Sequence, residues 1–145
     1  MAETIVKEHQ VQSHTIIDSL VDSRSKMLTR YKELMSYTPF YMDDTLQEVL
    51  EDFCESLVDY TAKAHFNLYS YLDEQKECHQ SVLLIADNVY PQLVDNTQKI
   101  LDFHDSYNND TAAMQSKHLE ACLNSIGELL AERISLEDSV MDALF

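Results

Sequence analysis

The stretch 50-LEDFCESLVDYTAKAHFNLY-69 places apolar residues at the three-and-four spacing of one helical face and fills the positions between them with acids. Leu50, Phe53, Leu57, Tyr60, Ala64 and Leu68 form the stripe; Glu51, Asp52, Glu55 and Asp59 lie off it. Carried back through Leu46 and Val49, the pattern predicts a helix that Asp43, Asp44 or Thr45 can cap, because a side-chain oxygen there accepts from first-turn amides. Tyr71 or Leu72 closes it. Between Lys32 and Lys63 there is no Lys or Arg. This stretch therefore lacks counterions of its own, and its acidity points to a basic partner.

The rest of the chain repeats the same periodicity. Ile16, Ile17, Leu20, Val21, Met27, Leu28, Tyr31, Leu34 and Met35 define a first helix, with residues 1–14 either extending it or fraying. It should end near Tyr37, since Thr38 precedes Pro39 and a residue before proline avoids the helical region. The polar run Asp73 to Gln80 reads as a turn. A third helix carries Val82, Ile85, Ala86, Val89, Tyr90, Leu93, Ile100, Leu101 and Phe103, and it contains Pro91. Proline removes one backbone bond and clashes with the carbonyl four residues back, so a kink is expected there. Tyr107 to Thr111 reads as a loop, with Asp110 or Thr111 capping a fourth helix of Met114, Ala121, Cys122, Ile126, Leu129, Leu130, Ile134, Leu136, Val140 and Leu144. Gly127, the only glycine, falls inside that helix at a cost of about 1 kcal/mol against alanine, and close approach of a neighbouring helix would explain it. Four long helices with short connections predict an all-α fold, an antiparallel up-and-down four-helix bundle forming one domain over residues 1–145.

Composition narrows the function. A 145-residue chain that is 45% hydrophobic can bury one core, and one Gly with two Pro is too little turn chemistry for a sandwich or barrel. Ten basic against 26 acidic residues give a net charge of −16, which opposes nucleic acid and anionic membranes as partners. Apolar runs are short and the N-terminus resembles no signal segment, so a cytoplasmic protein is expected. Cys54, Cys78 and Cys122 form no CxxC pair, which fits reduced thiols. Cys54 and Cys122 fall on apolar stripes and are expected to be buried.

Chemistry-bearing motifs are sparse. No Glu has His three residues later and HExxH is missing, so no metal site and no cofactor is predicted. One glycine cannot build a phosphate loop. Asp59 and His65 lie on different helical faces, and no nucleophile, base and orienter can be named, so an enzyme is not expected. The alternative is a histidine phosphotransfer module carrying phosphate on His118, although Ala121 and Cys122 stand where such modules place Lys and Gly. Asn96, Thr97 and Gln98, just after Pro91, either form a buried polar network with Tyr60 or His65, or make a solvated patch. Arg133 is expected to pair with Glu137 at four-residue spacing, worth a few tenths of a kcal/mol.

LEDFCESLVDYTAKAHFNLY, YPQLVDNTQKILDFHDSY and LNSIGELLAERISLED, in that order, resemble the Rsd/AlgQ family of bacterial anti-sigma factors, and the resemblance reaches from about Ile17 to the C-terminus. The residues that match include Asp52, Phe53, Asp59, Tyr60, His65, Phe66, Pro91, Asn96, Gly127, Arg133 and Glu137. Leu20 stands where the family usually carries tryptophan.

The resemblance implies a helical bundle that binds region four of the primary sigma factor of RNA polymerase, keeping it from polymerase core and the −35 promoter element, typically in stationary phase. Region four is a basic helix-turn-helix, so an acidic surface with exposed apolar side chains can compete for it. The candidate sigma-binding residues are Asp18, Arg24, Asp52, Glu55, Asp59 and Phe66. Asp59 would accept from Arg or Lys and Phe66 would anchor the apolar part; the other reading makes Asp59 a solvated acid and Phe66 core packing. Self-association remains open.

Overall fold

The structure is a computed structural model, and it describes residues 2–41, 43–71, 80–109 and 116–144. Among these residues the chain is helical, without strands: α1 (Ala2–Met35), α2 (Asp44–Lys63), a π-helical segment (Ala64–Tyr69) that continues α2, α3 (Gln80–Asn109) and α4 (Ser116–Leu144). No helix among them is long and apolar enough to cross a membrane.

Local chemistry sets the boundaries. α1 begins at Ala2 and stops at Met35, two residues short of the expected end, where the amides of Ser36 and Tyr37 turn back onto the carbonyls of Glu33 and Leu34. Of the three residues able to cap α2, Asp43 does so, with an extended backbone and Oδ1 accepting from Leu46 N at 2.7 Å. α3 continues through Pro91 to Asn109, so Tyr107, Asn108 and Asn109 are helical and not loop. A last helical turn tolerates asparagine because its carbonyls already lack intrahelical donors. Of the turn expected over Asp73 to Gln80, Gln80 is instead the first residue of α3, and residues 73–79 with Cys78, like the caps Asp110 and Thr111, lie outside the described residues.

The core runs the length of the fold. α1 packs on α2 and on the π segment, and α3 packs on α4. Leu20, Met27 and Leu34 of α1 are buried with Leu50, Phe53 and Leu57 of α2, Leu93 and Ile100 of α3, and Leu123 and Ile126 of α4. Val21, assigned to the buried face of α1 by periodicity, is exposed instead, because Leu20 takes the inward position. Gly127 has the close neighbour its position suggested. The Tyr31 hydroxyl, donating to the Leu123 carbonyl at 2.9 Å, occupies the space a Cβ would fill, and Tyr31 Cζ would lie 3.2 Å from that Cβ.

Candidate functional site

The exposed face of α2 presents Glu48, Glu51, Glu55, Val58 and Asp59, and the π segment adds Phe66, 70% exposed, its ring meeting His65 edge-on at 5.2 Å. Phe66 is therefore not core packing. The acids do have some counterions, which corrects the sequence expectation: Asp59 pairs with Lys63 at 3.4 Å and Asp52 approaches Arg30 of α1 at 4.0 Å. Exposed pairs of this kind contribute about 0–1 kcal/mol, so either acid can exchange its partner. Glu51 and Glu55 have no cation within ion-pair distance among the described residues. Beside this face, a cavity of about 210 Å³ opens between α2 and α3, with walls that include Val58, Ala62, Phe66, Ile100 and Leu101.

The two α1 candidates separate. Asp18 is exposed, one residue before Ser19, whose hydroxyl accepts from Asn67 at 3.4 Å. Arg24 is mostly buried, donating from Nη1 to Asp138 at 2.9 Å and standing 3.7 Å from Glu137. It faces α4, away from the acidic face of α2.

A polar layer crosses the core where Arg24 enters it. Arg133 and Glu137 make the expected pair, 3.8 Å apart, but both are fully buried, so its worth is not that of an exposed helix pair. Their positions explain the burial: with Leu119, Leu123, Ile126, Leu130 and Val140 they continue one stripe of alternating four- and three-residue steps down α4, all buried. The Arg133 guanidinium donates to Thr97 Oγ1 at 2.8 Å and Asn96 Oδ1 at 3.3 Å, and its Cζ sits 5.7 Å from the Tyr60 ring centroid and 5.5 Å from that of Tyr69. Asn96 donates in turn to the Leu129 carbonyl at 2.8 Å. The Tyr60 hydroxyl donates to Glu137 Oε1, which also lies 3.8 Å from Arg133 Nε.

Of the five residues expected in a polar network, Tyr60, Asn96 and Thr97 meet through Arg133 and Glu137, whereas His65 and Gln98 do not join them. Both are exposed. His65 falls on the outer side of the π segment, and Gln98, about 100° around α3 from Thr97, donates instead to Asp102 at 3.0 Å.

Burial dominates the electrostatics of this layer. Desolvation pushes the Glu137 carboxyl up to about 8, Arg24 pulls it back and Asp138 adds to the rise. The Tyr69 hydroxyl is pushed up to about 12 by burial, with Arg133 and then Arg24 opposing. Cys54, also buried, is likewise pushed up to about 12 by burial and by Glu51. That thiol is inert.

Cys122 is half-buried, which departs from the expected core position, and it lines a second cavity of about 320 Å³ between α3 and α4. Its sulfur lies 3.5 Å from His118 Nε2. Among the described residues, no three His, Cys, Asp or Glu side chains gather so as to hold a metal ion.

The described residues are helical and set an acidic face, an exposed aromatic and an apolar groove side by side, the surface of a helical protein with no catalytic or metal constellation among those residues. A family model described as "Regulator of RNA polymerase sigma(70) subunit, Rsd/AlgQ" matches residues 2–145. The chain belongs to the Rsd/AlgQ family, anti-sigma regulators of bacterial transcription. It is 36% identical over 138 residues to "Regulator of sigma D" of Salmonella paratyphi A, covering 92% of this chain and 83% of that protein. The protein of the same name from Enterobacter sp. (strain 638) is 35% identical over 134 residues, covering 89% and 79%.

Proposed function

We propose that this protein binds region four of the primary sigma factor and holds it away from polymerase core and the −35 promoter element. Family membership over nearly the whole chain supports a sigma partner. The observation that carries the choice of surface is Phe66, an aromatic side chain 70% exposed on the same helical run as Glu51, Glu55 and Asp59. Phe66 is not isolated, since with Val58 and Leu101 it walls the apolar cavity, and such a patch beside acids suits a basic partner with an apolar face. Asp59 accepts from a sigma Arg or Lys by exchanging Lys63, Phe66 anchors the apolar contact, and Glu55, Asp52 and Asp18 add to the attractive field. Arg24 acts through the core, fixing α1 to α4. The cytoplasm is where such a partner resides.

The same reading takes the chain as one antiparallel four-helix bundle, bent at Pro91. It is supported by the links of α1 to α4 through Tyr31 and Arg24, of α2 to α4 through Tyr60, and of α3 to α4 through Asn96.

The test is association of the full chain with isolated region four, followed by fluorescence anisotropy over a range of salt. Wild type should bind and weaken as salt rises, and Asp59→Arg should lose binding at unchanged helicity. Equal affinity of Asp59→Arg and wild type would sink the proposed surface.

A further inference from the structure

We infer that the groove between α2 and α3 receives one face of a basic amphipathic helix, with α2 supplying charge and α3 much of the apolar wall. This rests on the reading that region four is the partner, and it adds the mode of docking and a second helix to the interface.

The first observation is a stripe on α3. Leu83, Tyr90, Val94 and Leu101 are exposed by 42%, 41%, 53% and 40%. Their spacing of seven, four and seven residues keeps them within about 20° of one line along the helix, at about 100° per residue. Large apolar side chains aligned on an outer face are costly in water unless a partner covers them. Leu101 is also a wall of the 210 Å³ cavity, opposite Val58 and Phe66 of the α2 run. The stripe thus meets the cavity at Leu101, and a cavity of about 210 Å³ can take a side chain of a helix lying along the stripe as a knob.

The second observation is the charge of the rim. Glu51, Glu55 and Asp59 on α2 and Asp95 and Asp105 on α3 are exposed. Lys63 and Lys99 are the cations nearest these acids along the two helices, and they are taken by Asp59 at 3.4 Å and Asp95 at 3.1 Å. A second copy of the chain would bring the same acids to the same place, against a net charge of −16 on each molecule. An uncharged apolar helix would desolvate the acids without pairing them. A helix with one apolar face flanked by Lys or Arg satisfies both the stripe and the rim, in the manner of helix-in-groove recognition.

The experiment measures binding of isolated region four to the full chain carrying Val94→Gln or Leu101→Gln, with circular dichroism to verify that helicity is kept. Glutamine suits a helix surface, so these variants fold. Each should weaken binding by roughly tenfold or more while leaving the salt dependence as in wild type, because they remove apolar anchors and no charge. Asp59→Arg should instead lose binding, as a reversed charge at the rim demands. If both glutamine variants bind as wild type while Asp59→Arg fails, the α3 wall is not used and the inference falls, though the sigma reading stands. Failure of wild type to bind region four would overturn both.

Discussion

Replacing Arg133 by methionine isolates what the buried charge contributes, because methionine fills most of the same volume and leaves little cavity. The substitution removes donors to Thr97 at 2.8 Å and Asn96 at 3.3 Å, each worth about 1.5–3 kcal/mol for a charged donor. It also removes a cation from beside the Tyr60 and Tyr69 rings, worth about 0.5–2 kcal/mol. Against this, the unfolded-to-folded transfer no longer desolvates a guanidinium, which returns several kcal/mol. The desolvation returned offsets much of what is lost, and Glu137, pushed up to about 8 with Arg24 still beside it, is not left as a bare charge, so the net expected loss is about 1–3 kcal/mol. Urea unfolding followed by far-ultraviolet circular dichroism reads it directly, with an unchanged slope against denaturant as the control on two-state behaviour. A loss under about 1 kcal/mol would refute the argument that this layer holds the helices in register. The double variant Arg133→Met/Glu137→Gln should recover part of the loss, since it removes the carboxyl left without its neighbour.

Two further outcomes follow from the same geometry. Glu137 has a folded-state value pushed up to about 8, above that of an unfolded glutamate, so the native state holds its proton more tightly. Its contribution is fully present below the unfolded value near 4.5 and is lost as pH rises toward 8; Glu137→Gln should flatten the fall in stability across that window, and an unchanged slope would contradict the assignment. Gly127→Ala gains about 1 kcal/mol of helix propensity but displaces the Tyr31 hydroxyl from the Leu123 carbonyl and crowds its ring, for a net loss of about 1–3 kcal/mol. The loss should shrink in a Tyr31→Phe background, and equal losses in both backgrounds would exclude Tyr31 as the cause.

How much of this was legible in the chain depended on whether periodicity alone decided the matter. The stripe Leu46 to Leu68 placed α2 and its buried face, and Asp43 capped it as its side chain allows. Periodicity failed where a residue's polarity argued against its position. Arg133 and Glu137 occupy inward steps of the α4 stripe, and a charged pair at four-residue spacing reads equally well as a surface bridge. The signal was present: the alternating steps from Leu119 to Val140 run through both residues without a break. Tyr90 and Leu101 failed in the opposite direction, apolar in type yet outward-facing, since an apolar residue at an outer position is indistinguishable from a core residue until the neighbours are placed. The π-helical segment had no sequence signal that helical periodicity could register, because side-chain type does not encode whether a turn closes four or five residues back.

That wider winding joins the surface of α2 to the interior. Ala64 to Tyr69 lies between the Asp59 end of α2 and the Tyr69 ring that packs beside Arg133. Were these six residues wound as ordinary α-helix without the loss of one, everything downstream would turn by about 100°. Tyr69 would swing off the guanidinium, and Tyr71, now 2% exposed, would leave the core. Substitutions at His65, Phe66 or Ser70 alter a surface, whereas a change of winding alters the phase between that surface and the interior, where Ala64, Leu68 and Tyr69 lie. Winding is what the segment has to preserve.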